Sequence, residues 1–366
     1  MEQNPYLVFL CLIVWLTGVK LTWKSRIKEK TLSKYNILLA FLAVVFLCLF
    51  AFYDTDYFHY LDIFNSVSLG YIFHIEEIYL PIAMFANGSY FLFRLYIWGF
   101  AVLLAFITFR RFELPVSLAI LFFLCLVVLK FGYGRVSLAL AMATFGYSCI
   151  VKPFNPKLIS ILLGGVFVYY SAFFHTSAIF YIFLLTISFI ATNAGKKTIL
   201  MMFIMYAIVV YLFQRYGGAY ILQYVENDES TQGALSYLNG DFRGYEGVGV
   251  LVKQLLDRMP FFLTLIIAIL IRWKGLHKSM PYYMKSVTNL CIYSVLAALV
   301  FSFETTVNTY SLYYRFLYFS MLPTIILICY CHLKNIFPKL VNITFWCGFI
   351  ASVYNLVYSF YCTIVG

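Results

Sequence analysis

The chain reads as an all-α, polytopic membrane protein with about 12 transmembrane helices, and three features of its sequence carry that reading. Of its 366 residues, 63% are hydrophobic and 11% are charged, against roughly 45–50% apolar and about 25% charged in soluble domains. A soluble core could not bury so much apolar surface, so lipid must act as solvent. The apolar residues also gather in runs of about 17–25, the length that crosses a bilayer as a helix. Finally, the loops between runs alternate in charge.

The runs follow in order. Residues 5–22 have no basic region before them and no small-residue cleavage site after them, so they read as a retained first helix with its N-terminus outside. A basic stretch, KLTWKSRIKEKTLSK, separates them from 36–53. The run 90–109 closes on Arg110 and Arg111. Only FGYGR stands between 114–130 and 135–151, and only the region of His175 between 158–174 and 176–194. Each pair is a tight hairpin or a broken helix. Then come 198–214, 259–271, 286–303, 315–333 and 341–364. The run 259–271 is short and needs tilt or flanking interface residues to complete a span. With no repeat and no low-complexity segment, 1–366 reads as a single transmembrane domain.

Charge fixes the orientation. Alternate loops, starting with the one after the first helix, hold 18 of the 26 basic residues and only Glu29 and Glu113 of the 15 acids. That is the positive-inside rule obeyed loop by loop, and it places both termini outside. It also explains the net charge of +11 without nucleic acid. The outer side holds two long loops, about 54–89 and 215–258, where a site is expected. In the first, Tyr57, Tyr60, Leu61 and Phe64 share one helical face, as in a helix lying in the interface.

Inside, lysine dominates the basic residues. Outside, arginine does: Arg94, Arg135, Arg215, Arg243, Arg258 and Arg315 against Lys130 and Lys253. A planar guanidinium grips phosphate oxygens bidentately and stays charged, so this bias points to an anionic ligand or to pairing with the outer acids. Arg135 and Arg315 each open an apolar run directly, in GYGRVSLALAMATF and YYRFLYFSMLP. Charge at membrane depth is kept for pairing or function. Arg94, in YFLFRLY, lies nearer the interface, where snorkelling suffices. His175 sits at a break between two runs beside Thr176 and Ser177, and its imidazole can act as a base near neutral pH. The acids Asp54, Asp56, Glu76 and Glu77 are the other candidate bases.

Several classes are disfavoured. No P-loop, GxGxxG, GxSxG or HExxH motif is present, which argues against an ATPase, a dinucleotide enzyme, a serine hydrolase and a zincin. Neither the acids nor the nine cysteines show metal-ligand spacing, and eight of the cysteines lie inside apolar runs.

The remaining motifs form an ordered set. They are Asp56, Tyr57, Tyr60 and Phe64; then Glu76; then Arg135 with Ala139; then Phe174, His175, Ser177 and Ala178; then Arg315. In this order the chain resembles, over roughly 50–325, the EpsG-like family of Wzy-type bacterial polysaccharide polymerases. That family often has an Arg and a Gly ahead of its Asp, where this chain reads AFYDT. The resemblance implies a GT-C-like membrane glycosyltransferase of the bacterial plasma membrane that needs no cofactor and no metal. Such an enzyme joins undecaprenyl-diphosphate-linked repeat units on the outer face. Its substrates are lipid-linked oligosaccharides, and its partners include membrane lipid, a chain-length regulator and a flippase. By the same resemblance His175, Glu76 and Asp56 are the catalytic candidates. Arg135, Arg315, Arg94, Arg258, Tyr57 and Tyr60 are candidates for holding diphosphate or glycan. Competing readings are a lipid-linked oligosaccharide flippase or other transporter, a membrane acyltransferase, and a non-catalytic partner of a glycan machine.

Overall fold

The computed structural model of the chain describes residues 5–25, 38, 41–47, 61, 64–66, 69, 78–128, 134–175, 177–193, 204, 208, 248–300 and 316–365. Among the described residues the regular structure is all helical, with no strand. In chain order the helices are α1 (Pro5–Ser25), α2 (Tyr79–Phe85), α3 (Tyr90–Arg111), α4 (Val116–Leu126), α5 (Gly134–Val151), α6 (Lys157–Phe174), α7 (Ala178–Ile190), α8 (Val248–Trp273), α9 (Tyr282–Val300), α10 (Met321–Leu333) and α11 (Pro338–Val365). Short 3-10 turns cover Ala191–Asn193 and Leu276–Ser279. Among the described residues, four stretches are long and apolar enough to cross a membrane: Tyr90–Arg111, Lys157–Phe174, Phe316–Leu333 and Pro338–Tyr358. Along α6, Leu158, Leu162, Val166, Tyr169 and Phe173 are exposed, an apolar surface too extensive for water.

Local chemistry marks the helix ends. The Ser89 hydroxyl caps α3 by accepting from Leu92 N–H at 3.3 Å, and Arg110 and Arg111 close it where a cation suits the helix dipole. Proline opens α1 and α11, positions where its missing N–H costs nothing. Gly275, with φ +74°, turns the chain after α8.

The chain forms two compact units, Met1–Phe183 with Ile325–Gly366, and Leu184–Thr324. In the first, α5 packs along both α3 and α6. The α5–α6 contact is backbone on backbone. A Cβ on Gly146 would lie 2.5 Å from the Gly164 carbonyl oxygen, and one on Gly164 would lie 2.6 Å from that of Gly146. Small residues permit such an approach between apolar helices.

At one end of this layer, side chains cross-cap the helices. Arg111 donates from Nε to Ser148 Oγ at 2.9 Å and from Nη2 to the Lys152 carbonyl at 2.5 Å. Lys152 Nζ in turn donates to the Arg111 carbonyl at 2.8 Å and to Glu113 Oε1 at 2.5 Å. Each cation thus satisfies carbonyls that the end of the other helix leaves unpaired.

Two boundaries differ from the sequence expectation. In the described part of the run 114–130, up to 128, the helix α4 is eleven residues long, because Val127 leaves helical geometry at φ −135°. At about 1.5 Å per residue it cannot cross a bilayer. Its side chains from Ser117 to Leu126 are buried instead, against α1, α3 and α11. The carbonyls near its C-terminus find donors from other helices: Trp15 Nε1 reaches Leu124 O at 3.0 Å, and Ser352 Oγ reaches Cys125 O at 2.9 Å. Irregular backbone is tolerated at membrane depth where protein covers it in this way. In the second unit, residues 248–258, expected in the second long loop, are instead the start of α8. The short run 259–271 is therefore the latter half of a 26-residue helix.

Candidate functional site

The candidate site lies at the end of the α3–α5–α6 layer opposite the Arg111–Lys152 clamp. His175 and Arg135 reach it from adjacent helices. Each lies eleven residues from the glycine crossing, from 146 back to 135 and from 164 on to 175, and α5 and α6 run antiparallel. Both therefore stand at the same end of the pair.

Arg135 is the second residue of α5 and is half-buried. Placing a guanidinium at a helix N-terminus works against the helix dipole, so this position concentrates positive potential instead of neutralising it.

His175 ends α6 in an extended conformation, φ −165° and ψ 127°, and its carbonyl accepts from Ala178 N–H at 2.9 Å to start α7. Its ring caps α7. Nδ1 accepts the backbone N–H of Ser177 at 3.1 Å, and Ser177 Oγ lies 2.6 Å from the same nitrogen. This is N-cap geometry, with imidazole in the place usually taken by Ser or Asp.

Aromatic side chains wall this end. Tyr79 on α2 is fully buried and donates its hydroxyl to the Phe174 carbonyl at 2.9 Å, one residue before His175. Its ring meets Phe174 edge-on at 5.8 Å and Phe93 of α3 at 6.2 Å. Phe64, from the first long loop, packs against Phe93 at 5.1 Å and Tyr90 at 5.3 Å.

Arg94 does not snorkel. It is 4% exposed, and its guanidinium lies over Trp98 at 4.4 Å and over Tyr90 at 5.0 Å. Those rings stand four residues before and after it on α3, one turn each way along the same face. Desolvated cation–π contacts of this kind are worth about 2 kcal/mol or more, which offsets part of the cost of burying the charge.

Thus Arg94, Arg135, His175 and Phe64, all singled out in the sequence, belong to one end of one layer. Asp56, Tyr57, Tyr60, Glu76 and Arg315 lie outside the described residues. Arg258 is half-buried on α8 in the second unit. Sequence reasoning missed Tyr79, Trp98 and the hydrogen bonds of Ser177 to the His175 ring. The i, i+4 spacing of Tyr90, Arg94 and Trp98 was the available signal for the arginine cage. Among the described residues, no three His, Cys, Asp or Glu side chains gather as a metal site requires.

Compared with protein-family models, curated proteins and solved structures, the chain matches none. The functional reading therefore rests on the site and on the sequence motifs.

Proposed function

We propose that this chain is a membrane glycosyltransferase of the polysaccharide-polymerase type, with about 12 spans and a GT-C-like arrangement. It works at the outer face of a bacterial plasma membrane, with both termini outside. The observation that carries the proposal is the placement of Arg94, Arg135 and His175 at one end of a single apolar helix layer, beside Tyr79, Tyr90 and Trp98. The half-buried guanidinium of Arg135 fits a diphosphate, the half-buried ring of Tyr90 fits a sugar face, and the surrounding apolar helices fit a prenyl tail.

In the reaction, an acceptor hydroxyl oxygen bonds to the anomeric carbon of a lipid-linked glycan. The bond from that carbon to the diphosphate oxygen breaks, and its electron pair leaves on the lipid diphosphate. Fixed positive groups aimed at that developing charge lower the barrier most. Arg135 serves this role, with Arg315 as the second arginine of the motif order. The hydroxyl proton passes to His175, Glu76 or Asp56.

A second reading has one feature in its favour. The short helix that ends at Leu126 resembles the half-helices of transporters, so a lipid-linked oligosaccharide flippase is the alternative. One experiment separates the two. The purified protein, reconstituted with undecaprenyl-diphosphate-linked repeat units, is expected to lengthen the glycan. Movement of the lipid across the bilayer with no lengthening would overturn the polymerase reading.

A further inference from the structure

The backbone N–H of Ser177 can only donate, so the His175 Nδ1 that meets it at 3.1 Å must present a lone pair. Ser177 Oγ, 2.6 Å from the same nitrogen, then donates its hydroxyl proton there as well. A neutral ring with its lone pair committed at Nδ1 carries its hydrogen at Nε2. To act as a base, this ring would have to take the proton at Nδ1, against an N–H dipole and with loss of both bonds.

From this geometry we propose that Ser177 is a positioning residue that holds His175 as the Nε2–H tautomer. His175 then serves transfer as a hydrogen-bond donor to an oxyanion and not as the proton acceptor. The oxyanion part rests on the polymerase reading; the tautomer part does not. Arg135, at the same end of the α5–α6 pair, supplies the second positive group for the same class of ligand, a phosphate or diphosphate oxygen. The acceptor proton then goes to a carboxylate, Glu76 or Asp56. The bond changes are otherwise those already given for transfer.

Capping α7 alone would explain the position of His175 without any chemistry, so the variants must separate cap from ring. Aspartate at 175 keeps an acceptor for the Ser177 N–H but has no ring N–H. The test uses the full chain in lipid nanodiscs with isotope-labelled histidine, read by NMR at the ring nitrogens. Loss of one signal set in His175→Asp identifies His175. The native chain is expected to show an unprotonated Nδ1 and a protonated Nε2. Ser177→Ala keeps the backbone N–H, so it is expected to keep the tautomer while losing the hydroxyl bond, with a roughly tenfold loss of glycan extension per folded protein, the scale of one hydrogen bond. Ser177→Thr should restore the extension. His175→Asp should fold yet extend glycan on the order of a hundredfold more slowly.

A native ring protonated at Nδ1 overturns the proposal. Full extension by folded Ser177→Ala overturns the role of the Ser177 hydroxyl, and full extension by folded His175→Asp overturns the donor role. If the native chain lengthens no glycan, the oxyanion part falls with the polymerase reading. The ring signals still decide which nitrogen of His175 carries the proton.

Discussion

Arg272 and Asn289 form a buried hydrogen-bonded pair that ties α8 to α9. Arg272 Nε donates to Asn289 Oδ1 at 2.9 Å, and Nη2 donates to the same oxygen. Nη2 also reaches the carbonyls of Ala191 at 3.2 Å and Thr192 at 3.3 Å, while Asn289 Nδ2 donates to Ser188 O at 3.3 Å. Arg272 is only 2% exposed, so this cation of a basic loop also pins the end of the α7 segment. Asn289→Leu removes the side-chain acceptor of a buried guanidinium, a change that costs about 1.5–3 kcal/mol. Its thermal unfolding midpoint in detergent should fall well below that of the native chain. An unchanged midpoint would show that the pair contributes nothing to stability.

The glycine crossing gives a contrast of sign. Gly146→Ala or Gly164→Ala puts a methyl group against a facing backbone oxygen, and overpacking of this kind costs about 1–3 kcal/mol. Gly165 is next in sequence, and a Cβ there meets nothing within 4 Å. Gly165→Ala should be neutral or stabilising by up to about 1 kcal/mol, since alanine favours helix. Equal losses at 164 and 165 would refute the backbone contact.

Stability should depend on pH through His277, in the turn between α8 and α9. Burial, and then the charge of Arg272, push its pKa below the ordinary value of 6.5; Lys285 and Lys278 act in the same direction, and a backbone hydrogen bond with Ile271 partly opposes them. Its buried Nδ1 also meets no hydrogen-bond partner among the described residues. The unfolded chain therefore takes up this proton more readily than the folded one. The contribution is complete above about 6.5 and is lost as pH falls through that value toward the lower folded pKa. Unfolding midpoints measured between mildly alkaline and mildly acidic pH should drop on acidification. His277→Gln should flatten that slope, and the same slope in both proteins would exclude His277 as its source.

Arg135 tests the transfer site. Arg135→Ala should lower glycan extension by about 2.7–4 kcal/mol of barrier, the scale of one oxyanion donor. Arg135→Lys keeps the charge but loses the planar fork, so it should recover only part of the rate. Both should insert and fold, with activity expressed per unit of folded protein. Near-native extension by Arg135→Ala would remove this residue from the leaving-group site. If activity tracked folded protein alone, its role would be structural pairing.

Helices whose ends carry local signals were legible. The runs 90–109 and 158–174 fall within α3 and α6 to a residue or two, because a serine cap, terminal arginines and a proline bound them. The end of α4 was not legible. Hydropathy continues through LVVLK, and the break becomes tolerable only through donors from Trp15 and Ser352, far away in sequence. The start of α8 was hidden for a different reason. VGVLVKQLLDR mixes polar with apolar residues, so the loss of hydropathy there masks an unbroken helix. At the site, Arg94, Arg135 and His175 were visible as ionisable groups among apolar neighbours. Which nitrogen of His175 is engaged depends on backbone geometry at Ser177, which composition and spacing do not encode.

The Cys125 carbonyl draws its Ser352 donor from 227 residues further along the chain. Synthesis proceeds from the N-terminus, so a growing chain exposes the end of α4 long before α11 exists. Until α11 arrives, an eleven-residue apolar helix too short to anchor itself sits with an acceptor turned toward hydrocarbon. Assembly of the first unit therefore waits for α11, however early its other helices insert. A nascent chain stalled before 352 would be a substrate for membrane quality control, and not a partly working protein.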